Sequence, residues 1–267
     1  MGGGSSFAGL VCAALLLGGC ASVPEPPVMP LKAVTAFSLA QPSGTLPGGW
    51  QPWRLSRLKR LTSYELVDYN GSVVVKAISA ASASGLVHPV DIDPRETPIL
   101  QWRWKVPQLI AGANNTRRSS EDAPVRVVVS FDGDVDSLPL EDRLFFDRIR
   151  ALTGYQLPYA TLMYIWENRA ERGTIIPNPH TDRIQMIVAE SGPALTGTWK
   201  LESQNVLDDY RRAFGKEPGR IKAIAIMTDT DNTGETVEAY YGDIAFITPA
   251  EAEGVSLATY LRSPVPH

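Results

Sequence analysis

The sequence predicts an all-β protein: a jelly-roll-like antiparallel β-sandwich with a short helical insertion. Three observations predict it. About ten short apolar segments, several alternating with period two, are separated by clusters of Gly, Pro, Asn and Asp. Asn70-Gly71 joins two of these segments, and that dipeptide is the strongest short hairpin signal. Both cysteines, Cys12 and Cys20, fall near the N-terminus, so an apolar core must stabilise the rest of the chain without disulfides.

From the N-terminus, residues 10–17 form an apolar run. It is too short to cross a bilayer as a helix, which takes about 20 residues, and has the length of a signal-peptide core. Leu17-Gly18-Gly19-Cys20 resembles a bacterial lipobox, in which the cysteine is lipidated and becomes the mature N-terminus. No Lys or Arg precedes the run, which departs from that pattern; an ordinary cleaved secretion signal is the other reading. Ala21 is not the aspartate that resembles an inner-membrane retention signal. The expected location is therefore the outer membrane of a bacterial envelope, facing the periplasm, with a lipid on Cys20 as anchor. Residues 1–19 read as signal peptide, 20–32 as a Pro-rich tether, and 33–262 as one β-sandwich domain.

Residues 62–67 and 72–79 flank the Asn70-Gly71 turn. Residues 99–106, ILQWRWKV, alternate: Leu100, Trp102, Trp104 and Val106 share the core face, and Gln101, Arg103 and Lys105 the other. In residues 125–131, Val125, Val127, Val129 and Phe131 point inward and Arg126 and Ser130 outward. Residues 161–166, 183–189, 198–202, 221–228 and 237–247 complete the strands. Residues 139–152 carry Leu140, Leu144, Phe145, Ile149 and Leu152 near a 3.6 period, with Ser137 as start and Gly154 as stop. This is the insertion, at about 137–155. A second short helix spans 206–214 and ends at Gly215.

A net charge of −4 argues against a general nucleic-acid binder. Six Trp and nine Tyr point toward sugar-facing aromatics. The same alternation places Met163 and Ile165 in the core and Tyr164 and Trp166 outside. It also buries Ile184, Met186 and Val188 and exposes Arg183 and Gln185. One concave sheet face would then carry Arg103, Arg126, Tyr164, Trp166, Arg183 and Gln185. Guanidinium forks match carboxylates, so the expected ligand is an oligosaccharide, an anionic one included, bound without catalysis. There is no Gly-x-Ser-x-Gly elbow, His-Glu-x-x-His helix or phosphate loop. One alternative is a polysaccharide-active, lyase-like enzyme using His180, Tyr164 and Arg126. Another is a structural envelope protein that binds a second protein.

Residues 228–234 read TDTDNTG. Counted as an EF-hand from Asp229, the loop has Tyr240 where the bidentate glutamate belongs, so that reading fails. No cofactor is expected. Three readings stay open: a calcium site of another kind, from Asp229, Asp231, Asn232 and Asp243; a rim that touches ligand; and a polar hairpin loop, exposed and without ligands.

The order Trp102-Arg103-Trp104, Arg126, Tyr164-Ile165-Trp166, Gly197-Thr198-Trp199, Asp208-Asp209-Tyr210, Phe214-Gly215, TDTDNTG and Ala239-Tyr240-Tyr241-Gly242-Asp243 resembles a family of bacterial secreted proteins. That family is known only as a domain of unknown function and implies no activity. A looser likeness, over Trp199, Asp209-Tyr210, residues 221–227 and residues 240–246, is to jelly-roll carbohydrate-binding modules. It implies the fold more than the function.

Overall fold

In a computed structural model, Met1 and residues 33–154 and 156–253 are described. The predicted signal peptide, Cys20 and tether, and residues 254–262 of the predicted domain, lie outside them. Two sheets face each other. The seven-stranded sheet runs β1 (Gln51–Trp53), β4 (Ala83–Ile92), β11 (Ile221–Asp229), β6 (Ala123–Phe131), β7 (Ala160–Glu167), β9 (Ile184–Ser191) and β8 (Ile175–Pro177). The five-stranded sheet runs β10 (Trp199–Asn205), β5 (Ile99–Lys105), β12 (Thr236–Ile247), β3 (Ser72–Ala80) and β2 (Ser63–Tyr69). The pairings are antiparallel except that of β7 with β9. β8 folds back beside β9, antiparallel to it.

The main core lies between the sheets and draws from both: Trp102, Trp104, Val127, Tyr164, Trp166, Ile224 and Tyr241 all belong to it. Trp102 meets Trp104 edge-on at 5.2 Å, and Trp104 lies 6.4 Å from Trp166. The β5 expectation holds because its other face is polar. β7 and β9 run against expectation. Leu162, Tyr164, Trp166, Ile187 and Ala189 face the main core. Met163, Ile165, Met186 and Val188 instead join a second apolar cluster on the sheet's outer side, with Val128 and Ala225. Both faces of these strands are apolar, so alternation alone carried no sign, and a one-residue slip inverts every side chain.

The Asn70-Gly71 turn has φ of +55° and +87°, as a type I′ hairpin requires. β4 has no clean alternation, being broken by Gly85 and Pro89. Pro89 is accommodated where the register with β11 shifts, between Ile221 and Ala223, so its missing N–H costs the ladder little. Gly85 lies under Trp53: an added Cβ would come 2.9 Å from the indole and 2.4 Å from the Ile226 carbonyl.

α1 spans Leu140–Thr153, inside the predicted insertion, and ends at Gly154 in the left-handed conformation. Ser137 does not cap it. Pro139 stands at that position, and the Ser137 hydroxyl donates to the Asp134 carbonyl instead. α2 spans Val206–Phe214, as predicted; the Asn205 side chain accepts from the N–H groups of Leu207 and Asp208, and Gly215 closes the helix. Tyr210 of α2 reaches the core, 4.7 Å from Phe131.

Candidate functional site

The two outer faces of the sandwich differ in chemistry. On the seven-stranded sheet a groove of about 360 Å³ is lined by Trp53, Arg126, Ser130, Met163, His180 and Asp229, among others. Arg126 projects from β6 at its floor and is 1% exposed. Its Nε and Nη2 donate to Asp229 at 2.8 and 3.0 Å, and its Nη1 to Glu121 at 2.8 Å. Burial pushes the Asp229 carboxyl up, against the pull of the guanidinium; burial also pushes Arg126 down, but Asp229 and Glu121 together outweigh it and hold the guanidinium above its ordinary value. Buried charges are tolerable only when paired in this way.

Asp229 ends β11, so it belongs to the sheet and not to an exposed loop. The segment after it is not a hairpin: it crosses from β11 in one sheet to β12 in the other. Asp122 clamps it, accepting from the Thr233 N–H at 2.7 Å and from the Asn232 backbone and side-chain amides at 3.2 Å each. Of the proposed calcium ligands, Asp229 and Asp231 do converge, with Asp122 as the third member; their oxygens lie within 4.8 Å of one another. Asp243 is elsewhere, accepting from the Ser38 N–H at 2.9 Å and hydroxyl at 2.6 Å. Positive charge already enters the trio through Arg126 and through Lys59, whose Nζ lies 2.7 Å from Asp231. These two side chains neutralise part of the trio's charge, while Asp231 Oδ1 stays buried without a hydrogen-bond partner.

The six residues expected on one face are not brought together. Tyr164 and Trp166 are fully buried in the main core. The Tyr164 hydroxyl donates to Asp209 of α2 at 2.8 Å, and the Trp166 indole to the Gly192 carbonyl at 3.0 Å. Neither presents surface to a ligand. Arg183 and Gln185 share the core side of β9 with Ile187. Arg183 stacks 4.5 Å over Tyr159 and donates twice to its carbonyl, while Gln185 donates to the Asp182 carbonyl. Arg126 and Arg103 sit on opposite outer faces. The lyase-like trio also fails to assemble: His180 is exposed on the groove rim, Arg126 is locked to its carboxylates, and Tyr164 lies through the sheet.

The outer face of the five-stranded sheet holds what the sequence did not assemble. Tyr69 of β2, Trp199 of β10 and Tyr240 of β12 form a half-buried aromatic cluster with centroids 5.4, 5.4 and 6.4 Å apart. Register explains it: Lys105 lies opposite both Trp199 and Tyr240, and Tyr240 opposite Lys76. Three cations interleave with the rings. Arg103 lies 5.0 Å from the Trp199 ring, Lys105 5.1 Å from Tyr69 and Lys76 5.8 Å from Tyr240. Arg103 lies flat across Gly242, where an added Cβ would come 2.3 Å from its Nε. Strand pairing between distant segments created this surface, and no local spacing announces it.

A third charged cluster bridges the edges of the two sheets. Glu190 and Glu202 are both buried there. Arg172 reaches Glu190 at 3.5 Å and Glu202 at 3.1 Å, and Lys200 reaches Glu190 at 3.5 Å. Burial pushes the Glu202 carboxyl up to about 7, more strongly than Arg172 and Lys200 pull it down.

No curated protein matches the chain. Among solved structures it is similar to the family 30 carbohydrate-binding module of a cellulosomal cellulase from Clostridium thermocellum, at 10% identity and a TM-score of 0.34, covering 83% of this chain and 96% of that one. It is also similar to the cellulose-induced protein Cip1, at 12% identity and a TM-score of 0.31, covering 76% and 92%. At these scores the likeness decides neither ligand nor activity. The motifs from Trp102 to Asp243 fall within residues 48–245, the span that matches one family throughout; the chain belongs to that family, whose description is "Protein of unknown function (DUF3047)".

Proposed function

We propose that the protein is a non-catalytic glycan binder of the bacterial cell envelope, and that the outer face of its five-stranded sheet is the recognition surface. The observation that carries this reading is the half-buried cluster of Tyr69, Trp199 and Tyr240 on one sheet face. Rigid amphipathic rings lose little conformational entropy on contact. They offer flat apolar area to the C–H faces of pyranose rings, while neighbouring Arg and Lys side chains donate to sugar oxygens. The lipobox at Cys20 and the Pro-rich tether support attachment to the outer membrane, with the domain held away from the bilayer.

The test is a glycan array probed with the full-length protein in detergent. Specific retention of an oligosaccharide is expected, with Trp199→Ala weakening it about tenfold or more, as for a central aromatic anchor. An array with no bound glycan, while an envelope protein co-purifies instead, would replace this reading with the structural one. Retention unaltered by Trp199→Ala would move the surface elsewhere.

A further inference from the structure

The charge on the same face specifies the ligand further; this inference rests on the glycan-binding reading. Among the described residues, neither Arg103 nor Lys105 has a carboxylate partner within 4.0 Å. Lys76, next in the row, is neutralised by Glu238 at 2.7 Å; its hydrogen bond and that of Tyr240, with a longer-range pull from Lys105, hold that carboxyl below its usual range. Arg103 is only 6% exposed. Its Nη2 donates to the Ser72 hydroxyl at 2.8 Å, and its Nε, packed against Gly242, has no acceptor. Lys105 donates only to the Tyr69 hydroxyl, at 2.6 Å. Burying a guanidinium without an anion is unfavourable for the free protein. Of the other buried arginines, Arg126 is paired with two carboxylates, and Arg183 donates its Nε and Nη2 to the Tyr159 carbonyl.

We infer that Arg103 and Lys105 form a subsite for the carboxylates of an acidic, uronate-type oligosaccharide, with Trp199, Tyr69 and Tyr240 as its stacking floor. The two residues alternate with Trp104 along β5, which puts their side chains on one face about 7 Å apart. A ligand carboxylate seated between them would be attracted by both charges. The guanidinium adds planar donors that suit a carboxylate.

The test is isothermal titration of the full-length protein with an oligogalacturonate and with the same oligosaccharide after carboxyl reduction. The acidic form is expected to bind at least about tenfold tighter, the effect of one charge-assisted hydrogen bond. The preference should shrink as salt rises. Lys105→Gln should reduce the acidic-to-neutral ratio several-fold, and Arg103→Gln should reduce it further. Melting curves would establish that each variant is folded; the half-buried Lys105 position keeps the test available if the Arg103 variant unfolds. Equal affinity for the acidic and reduced forms would overturn the carboxylate subsite while leaving the glycan reading in place. Binding of neither, together with an empty array, would remove both.

Discussion

The two outer faces handle positive charge in opposite ways. On the seven-stranded sheet Arg126 is closed in by Asp229 and Glu121, and Lys59 by Asp231. On the five-stranded sheet Lys76 is matched by Glu238, but Arg103 and Lys105 rest on aromatic rings and on the Ser72 and Tyr69 hydroxyls, with no carboxylate within 4.0 Å among the described residues. A cation matched within its own fold holds structure together. A cation left unmatched on a half-open aromatic surface is available to something else. An arginine at a strand is therefore not informative by itself; what its guanidinium meets is, and Arg183, without a carboxylate, is taken up by the Tyr159 ring and carbonyl.

The sharpest way to break this contrast is to remove each arginine in turn. Arg126→Met would strand the buried Asp229 and Glu121 without a counter-charge and is expected to cost about 3–5 kcal/mol in urea unfolding. Arg103→Met strands no buried acid and should cost about 1 kcal/mol. Equal losses would mean that both arginines are structural.

The sheet-edge cluster gives a pH-dependent comparison. The Glu202 carboxyl titrates higher in the folded chain, at about 7, than its ordinary value of 4.5. Folding is therefore favoured while the group is protonated, and that contribution is lost as pH rises from about 4.5 through about 7. At about 1.4 kcal/mol per unit the loss is on the order of 3 kcal/mol. Unfolding free energies of the parent and of Glu202→Gln across that window should differ in slope, with the variant flatter. Parallel curves would assign the pH dependence to other groups.

Gly242→Ala probes how tightly Arg103 is seated. An added Cβ would come 2.3–2.8 Å from its Nε, Cγ and Cδ. Overpacking of that kind costs about 1–3 kcal/mol, lowering Tm by several degrees and displacing the guanidinium from Trp199. An unchanged Tm would show that Arg103 can move without cost. The smallest effect is expected from calcium. With Arg126 and Lys59 already in the Asp122–Asp229–Asp231 trio, Tm with excess calcium and with chelator should agree within about a degree. A rise on adding calcium would support the metal reading.

Strands whose two faces differ in polarity were legible from sequence. In β5 charged residues alternate with tryptophans, and α2 announces itself with Gly215 at its end. β7 and β9 were legible as strands but not as faces, because a second apolar cluster lies behind them. β4 was missed because Gly85 and Pro89 interrupt its pattern and are accommodated only by Trp53 and a register shift. The site was less legible still. Tyr69, Trp199 and Tyr240 meet through pairings among β2, β3, β5, β10 and β12, far apart in the chain. Glu121 and Asp122 drew no notice in the sequence, because only the fold brings Arg126 and the segment after Asp229 onto them.

That closing segment also bears on where the chain can be opened. New termini placed between Asp229 and Thr236 would cut the only stretch joining β11 directly to β12, and would release the amides held by Asp122. A circular permutant or fluorophore insertion there should fold poorly. The tip at Asn70-Gly71 is exposed and joins strands already paired with each other. It is the better place to mount a reporter, and its neighbour Tyr69 would put that reporter beside the proposed glycan surface.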